Sequence, residues 1–308
     1  MALCKIEFKK DGKTNTPQKI VFNGVSCDKV FARNNPNDAY ILVFSKKGGI
    51  YMVRSRIAAG NWKMNPATLG EAVELAQQIK NLYGSISNDG EECILFVPSC
   101  FVSAVADVLR DTNIKVGAQL ISAASSGAYT GQISASQIAS CGASWVIVGH
   151  SEVREYLYDD ANAFRSQISL ALQSGMNVIY CVGENLEERE NHTYNEVVRM
   201  QLTSGIYGMT ADQVSNMVIA YEPVWAIGTG KTATAEQANE MCGIIRQRII
   251  EIYGQETGEK VTICYGGSVK PSNAAEIVSQ SDIDGALMGG VSLKPADFVS
   301  VANTIFNL

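Results

Sequence analysis

The chain has 308 residues, 46% of them hydrophobic, enough to bury a sizeable core. A net charge of −6 and a pI near 5.1 argue against nucleic acid or an anionic membrane as the main partner. No apolar run reaches the roughly 18 residues of a membrane span.

Charge is unevenly spread. Residues 1–51 hold nine Lys and Arg against four Asp and Glu, and the remainder holds 16 against 27. This asymmetry predicts a boundary near residue 52, with an N-terminal extension at 1–51 and one larger domain at 52–308. The extension contains three short strand-like runs, Cys4–Phe8, Lys19–Phe22 and Ala39–Phe44. Turn residues separate them, as in Asp11-Gly12, Asn23-Gly24 and Gly48-Gly49. Two readings of this stretch stay open: a small β appendage, or a natural start at Met52. It lacks the apolar core of a secretory signal. With one arginine, four acids and no helical amphipathicity, it does not read as a mitochondrial transit peptide either. The expected location is therefore cytoplasmic. The eight cysteines contain no CxxC pair and several lie in apolar runs. They read as reduced core thiols, with no disulfide framework and no metal site.

From Arg54 a regular alternation begins. Strand-like runs fall at Arg56–Gly60, Cys93–Pro98, Lys115–Gln119, Trp145–Gly149, Val178–Val182, Val218–Tyr221, Thr262–Tyr265 and Gly285–Met288. Helical periodicity fills the gaps: Leu69–Tyr83, Phe101–Arg110, Ser134–Ser140, Ala161–Ser174, Glu187–Ile206, Glu236–Tyr253, Asn273–Ser279 and Asp297–Phe306. Eight strand–helix units of this length predict a (β/α)8 barrel, an α/β fold, with a short N-terminal β-rich extension. A doubly wound open sheet is the alternative, but eight even units favour closure. A barrel of this kind carries its site at the carboxyl ends of the strands.

The sixth such end is the most informative. Met217–Tyr221 reads as a buried strand and leads straight into Glu222, Pro223, the apolar Val224–Ile227 and two glycines, Gly228 and Gly230. Pro223 fixes φ on one side and the glycines free the backbone on the other. The pattern is that of a general base carrying its own lid. Gly230-Lys231-Thr232 looks like the end of a nucleotide phosphate loop, but the glycine required five positions earlier is Trp225. Gly228-x-Gly230 is likewise a weak dinucleotide match, since Ala233 occupies the third glycine position. A single strand-end glutamate is usually a solvated carboxylate. Here it has companions: Asn61-Trp62-Lys63, His150-Ser151-Glu152, Gly266-Gly267-Ser268 and Gly289-Gly290 close four other strands. The barrel brings these to one face.

Five segments, Ala59–Asn65, Val148–Glu152, Tyr221–Gly230, Tyr265–Ser268 and Leu287–Gly290, resemble the triosephosphate isomerases in sequence and in order. The resemblance runs from about Arg54 to the C-terminus. It implies the (β/α)8 (TIM) barrel fold and a reaction that moves a proton between adjacent carbons of a triose phosphate. In that reading Glu222 is the base, and His150 is a neutral donor to the substrate oxygen, opening a helix whose positive end disfavours imidazolium. Lys63 and Asn61 face the developing negative charge, with Glu152 anchoring Lys63. Asn61 and Lys63 also contact substrate. Gly228, Ser268, Gly289 and Gly290 offer backbone N–H groups to its phosphate. The resemblance implies a homodimer and calls for no cofactor. Three positions depart from the family pattern: Leu120 replaces an asparagine that supports the lysine, Val153 an arginine, and Gln132 a glutamate. The last two face each other across the family's subunit interface. An inactive barrel kept as a binding or structural protein, with residues 1–51 docking a partner, is the reading from a different class.

Overall fold

A computed structural model describes residues 54–84, 91–157, 160–227 and 232–308, and the backbone of strands at 20–22, 25–32, 41–45 and 50–52. The predicted run Cys4–Phe8 and the predicted phosphate ligand Gly228 lie outside the described residues.

The chain divides into two compact units, one ending at Arg54 and the other running from Ser55 to Asn307. The first contains a four-stranded antiparallel meander, β1 (Ile20–Phe22), β2 (Val25–Ala32), β3 (Ile41–Ser45) and β4 (Ile50–Met52), in that order. Two of these strands match predicted runs; Val25–Ala32 and Ile50–Met52 do not. The β2 sequence, Val-Ser-Cys-Asp-Lys-Val-Phe-Ala, breaks its alternation at Asp28-Lys29, and its register against β3 shifts between Cys27 and Lys29. A bulge of that kind erases the period-two signal.

The second unit is a closed parallel barrel of eight strands: β5 (Arg56–Asn61), β6 (Glu91–Val97), β7 (Lys115–Ala118), β8 (Trp145–Val148), β9 (Asn177–Val182), β10 (Val218–Tyr221), β11 (Thr262–Tyr265) and β12 (Gly285–Met288). Closure is made where β12 pairs with β5, Gly285 opposite Ile57 through Met288 opposite Gly60. Both faces of each strand are buried, which is why the strands read as continuous apolar runs. One parity points into the barrel, where Ile57, Ile94, Phe96, Trp145, Ile179 and Val218 pack together. The other parity meets the surrounding helices.

Five of the described helices begin at reciprocal side-chain caps that the sequence supplies. Thr68 with Glu71, Ser134 with Gln137, Asn185 with Glu188, Thr210 with Gln213 and Thr234 with Gln237 each form a reciprocal capping box. Such a cap contributes about 1 kcal/mol. Between caps, apolar spacing does the rest, as in Ala72, Ala76, Ile79 and Tyr83 on the buried side of the first barrel helix.

The helix expected over Glu187–Ile206 is in fact two, Leu186–Glu190 and Tyr194–Ile206. His192 takes a positive φ of 59° between them. Its N–H donates to Arg189 O and that of Thr193 to Glu188 O, the two bonds that end a helix through a left-handed residue. Glycine normally holds that position, so its absence hid the break. The core-thiol reading holds for Cys93, Cys181, Cys242 and Cys264, whereas Cys100 and Cys141 are exposed. Among the described residues no helix is long and apolar enough to cross a membrane.

Candidate active site

The carboxyl ends of the barrel strands surround a cavity of about 620 Å³. Asn61, Lys63, His150, Glu222, Ser268, Gly289 and Gly290 all line it. Every described site residue predicted from the sequence therefore meets at one place, although they span some 230 positions. Ala226 and Ile227 of the lid segment also reach the cavity.

Glu222 follows β10 and is only 2% exposed. Its Oε2 accepts the Ser151 backbone N–H at 2.8 Å, and its Oε1 lies 3.2 Å from the Ser151 hydroxyl and 3.0 Å from His150 Nε2. Two Ser151 donors and the edge of the His150 ring thus converge on one carboxylate. Its own backbone is fixed by Glu222 N–H donating to Val182 O at 2.8 Å. Two glycines make room for it: a Cβ on Gly183 would lie 1.8 Å from Glu222 O, and one on Gly266 2.9 Å from Glu222 Cγ. The buried Cys181 thiol lies next to it. Burial and the Glu222 charge push that thiol well above its ordinary range, so it is a protonated packing group here.

His150 caps the helix Ser151–Tyr156, and its Nδ1 accepts the Glu152 backbone N–H at 3.2 Å. With Nδ1 accepting, the hydrogen of the neutral tautomer lies on Nε2, which stands 3.0 Å from Glu222 Oε1. Adding a proton at Nδ1 would set donor against donor at the positive end of a helix.

Lys63 departs from ordinary backbone. Its φ is +54°, a left-handed conformation that costs a non-glycine residue about 1 kcal/mol. Asn61 Oδ1 accepts its N–H at 2.9 Å, and Gln119 Nε2 donates to its carbonyl at 2.9 Å. At the tip, Nζ donates to Glu152 Oε1 at 2.6 Å. With side chains 30% and 41% exposed, this ion pair contributes less than about 1 kcal/mol to stability. Its consequence is aim: Nζ sits 3.8 Å from where a Gly289 Cβ would stand.

The segment that follows Glu222 is anchored by a residue the sequence did not single out. Glu184 Oε1 accepts from Tyr221 Oη at 3.0 Å and from Trp225 Nε1 at 2.8 Å, while Glu184 O accepts Val224 N–H at 3.1 Å. Burial pushes the Glu184 carboxyl above the usual range, and the bonds from Trp225 and Tyr221 pull the other way. Lys270, Lys294 and Asp297 line the cavity as well and were also missed; they lie just beyond the glycine motifs at the ends of β11 and β12. Among the described residues no group of His, Cys, Asp and Glu is placed to hold a metal ion.

A family model described as triosephosphate isomerase matches residues 56–305. The chain is 46% identical over 251 residues to a triosephosphate isomerase of Clostridium beijerinckii, covering 82% of this chain and 100% of that one. It is 44% identical over 251 residues to one from Bacteroides fragilis, covering 81% and 98%. The crystal structure of triosephosphate isomerase from Bartonella henselae superposes with a TM-score of 0.72 at 38% identity, covering 82% of this chain and 99% of that chain.

Proposed function

Because the chain belongs to the triosephosphate isomerase family, we propose that its strand-end cluster is the isomerase site, with each residue in a definite role. The protein is an intramolecular aldose–ketose isomerase interconverting dihydroxyacetone phosphate and D-glyceraldehyde 3-phosphate, a step of glycolysis and gluconeogenesis. One observation carries the assignment of roles: a buried carboxylate and an imidazole whose Nδ1 is occupied by a backbone N–H face each other at 3.0 Å on the wall of a cavity that also holds Lys63.

Glu222 moves a proton between the two carbons, leaving the Ser151 donors as it turns toward substrate. His150 Nε2–H and the Asn61 amide stabilise the enediolate oxygen, and Lys63 supplies fixed positive charge. Ser268, Gly289 and Gly290, with Gly228, present backbone N–H groups to the phosphate, and Lys63, Lys270 and Lys294 bring positive charge to the wall of the cavity within an otherwise acidic protein. The Glu184 bonds to Tyr221 and Trp225 hold the hinge of the lid. Conversion of glyceraldehyde 3-phosphate by the purified chain is the direct test. Absence of turnover would leave the inactive-barrel reading.

The division into an extension at 1–51 and a barrel at 52–308 carries its own prediction. All site residues follow Asn61 and closure uses residues from Ile57 on. A chain starting at Met52 is expected to fold and to isomerise at the rate of the full chain. Loss of solubility or turnover would make the β sheet integral to the enzyme. With no membrane-spanning helix among the described residues, the proposed location is the cytoplasm.

The proposed assembly is a homodimer formed through Met64, 94% exposed, and the Tyr129–Gln132 loop, where Tyr129 is 52% exposed. At this interface the two departures act together. Gln132 is bound to Ser122 Oγ within its own loop, and Val153 packs against the core. Losing both partners of a charged pair is close to neutral, whereas one charge left alone costs a few kcal/mol. Val153→Arg is expected to weaken the dimer and Gln132→Glu added to it to restore part of the loss. Sedimentation of the four variants reads the coupling; additive effects would mean the two residues do not meet.

A further inference from the structure

Lys63 needs more than its ion pair to stay where it is. Among the described residues, only it and His192 combine a side chain with a positive φ, and a half-exposed ion pair is too weak to enforce that backbone. Two groups do hold the Lys63 backbone. Asn61 takes the N–H, and Gln119 Nε2 binds the carbonyl at 2.9 Å while also donating to Phe96 O at 3.1 Å. Phe96 O in turn accepts the Trp62 N–H at 3.0 Å. The single Gln119 amide, just past the end of β7, therefore ties the turn after β5 to the end of β6.

We infer that Gln119 is a positioning residue for Lys63, clamping its left-handed peptide so that the ammonium is aimed into the cavity. The inference rests on the reading that Lys63 acts on the substrate, and deepens it. The clamp depends on amide chemistry. Only a nitrogen with two hydrogens, at this side-chain length, serves two carbonyls from neighbouring strand ends. Without it the Lys63 peptide relaxes toward an ordinary φ and carries Nζ away from the ends of β5 and β12. The family's asparagine one residue later, here Leu120, is not needed for this bond. The competing reading is that Gln119 merely satisfies two interior carbonyls. That role would lower stability alone and would act independently of Lys63.

The test is a double-mutant cycle on the full chain. Gln119→Met keeps volume and removes both donors; kcat/KM is expected to fall by ~10- to 100-fold, the range for a misplaced catalytic group. In a Lys63→Met background the same substitution is expected to cause no further loss, while thermal unfolding shifts equally in both backgrounds. Gln119→Asn keeps the amide but falls a methylene short of bridging both carbonyls, and is expected to show the same pattern if Gln119→Met folds poorly. Unchanged kcat/KM in a folded variant, or an equal loss in both backgrounds, overturns the clamp alone. If neither variant folds, Gln119 is structural and the inference falls. Normal turnover by Lys63→Met itself overturns the role of Lys63, and the clamp with it.

Discussion

Glu222→Gln is expected to lower kcat by ~10²–10⁴, the contribution typical of a general base. The substitution keeps the size and shape of the side chain, so the cavity survives. Its amide cannot replace the carboxylate chemically, having no basicity for a carbon-bound proton. Nor does it fit the resting contacts: Ser151 N–H donates to one carboxylate oxygen and Ser151 Oγ to the other, and an NH2 would oppose one of them. The residues proposed to recognise the phosphate, Lys63, Ser268, Gly289 and Gly290, make no bond to Glu222, so affinity for a phosphate-bearing competitive inhibitor should persist. The expected signature is thus a collapsed kcat with binding retained. Turnover near that of the unsubstituted protein would remove Glu222 from the role of base.

The barrel was readable because its strands are buried on both faces and its helices repeat apolar residues at helical spacing, two signals that short windows of sequence contain. The candidate site was readable for a related reason: strand ends place Asn61, His150 and Glu222 by local grammar alone. What stayed hidden depends on distance along the chain. Glu184 meets Tyr221 and Trp225 at separations of 37 and 41 positions, and Gln119 meets Lys63 at 56. No periodicity encodes such contacts. Arg154 is a further case: it donates to Gly149 O at 2.8 Å and Cys181 O at 3.0 Å, stapling the ends of β8 and β9 behind the site. In the sequence it reads only as an arginine after a motif. Backbone exceptions were equally opaque, since neither Lys63 nor His192 is the glycine that most plainly announces a positive φ.

His150→Gln is expected to lower kcat by ~10²–10³, the loss measured when one donor to a developing oxyanion is removed. The imidazole is committed by its other nitrogen: Nδ1 accepts the Glu152 N–H at 3.2 Å, so a rigid ring points Nε2–H outward. Glutamine also ends in a donor, but on a flexible chain with no second anchor at the helix N-terminus, so the donor is no longer aimed at one oxygen. Preorganisation is lost while hydrogen-bonding capacity is kept, which makes this substitution sharper than a deletion. KM should move little, because the phosphate contacts are elsewhere and the lost interaction strengthens only as charge develops. Glu222 provides the control. If base and donor act on one enediolate, the effect of His150→Gln should shrink in a Glu222→Gln background. Steady-state kinetics of the four proteins decides it. A kcat for His150→Gln equal to that of the unsubstituted protein would remove His150 from the role of donor, and losses that simply multiply across the two sites would mean that His150 and Glu222 do not act together on one enediolate.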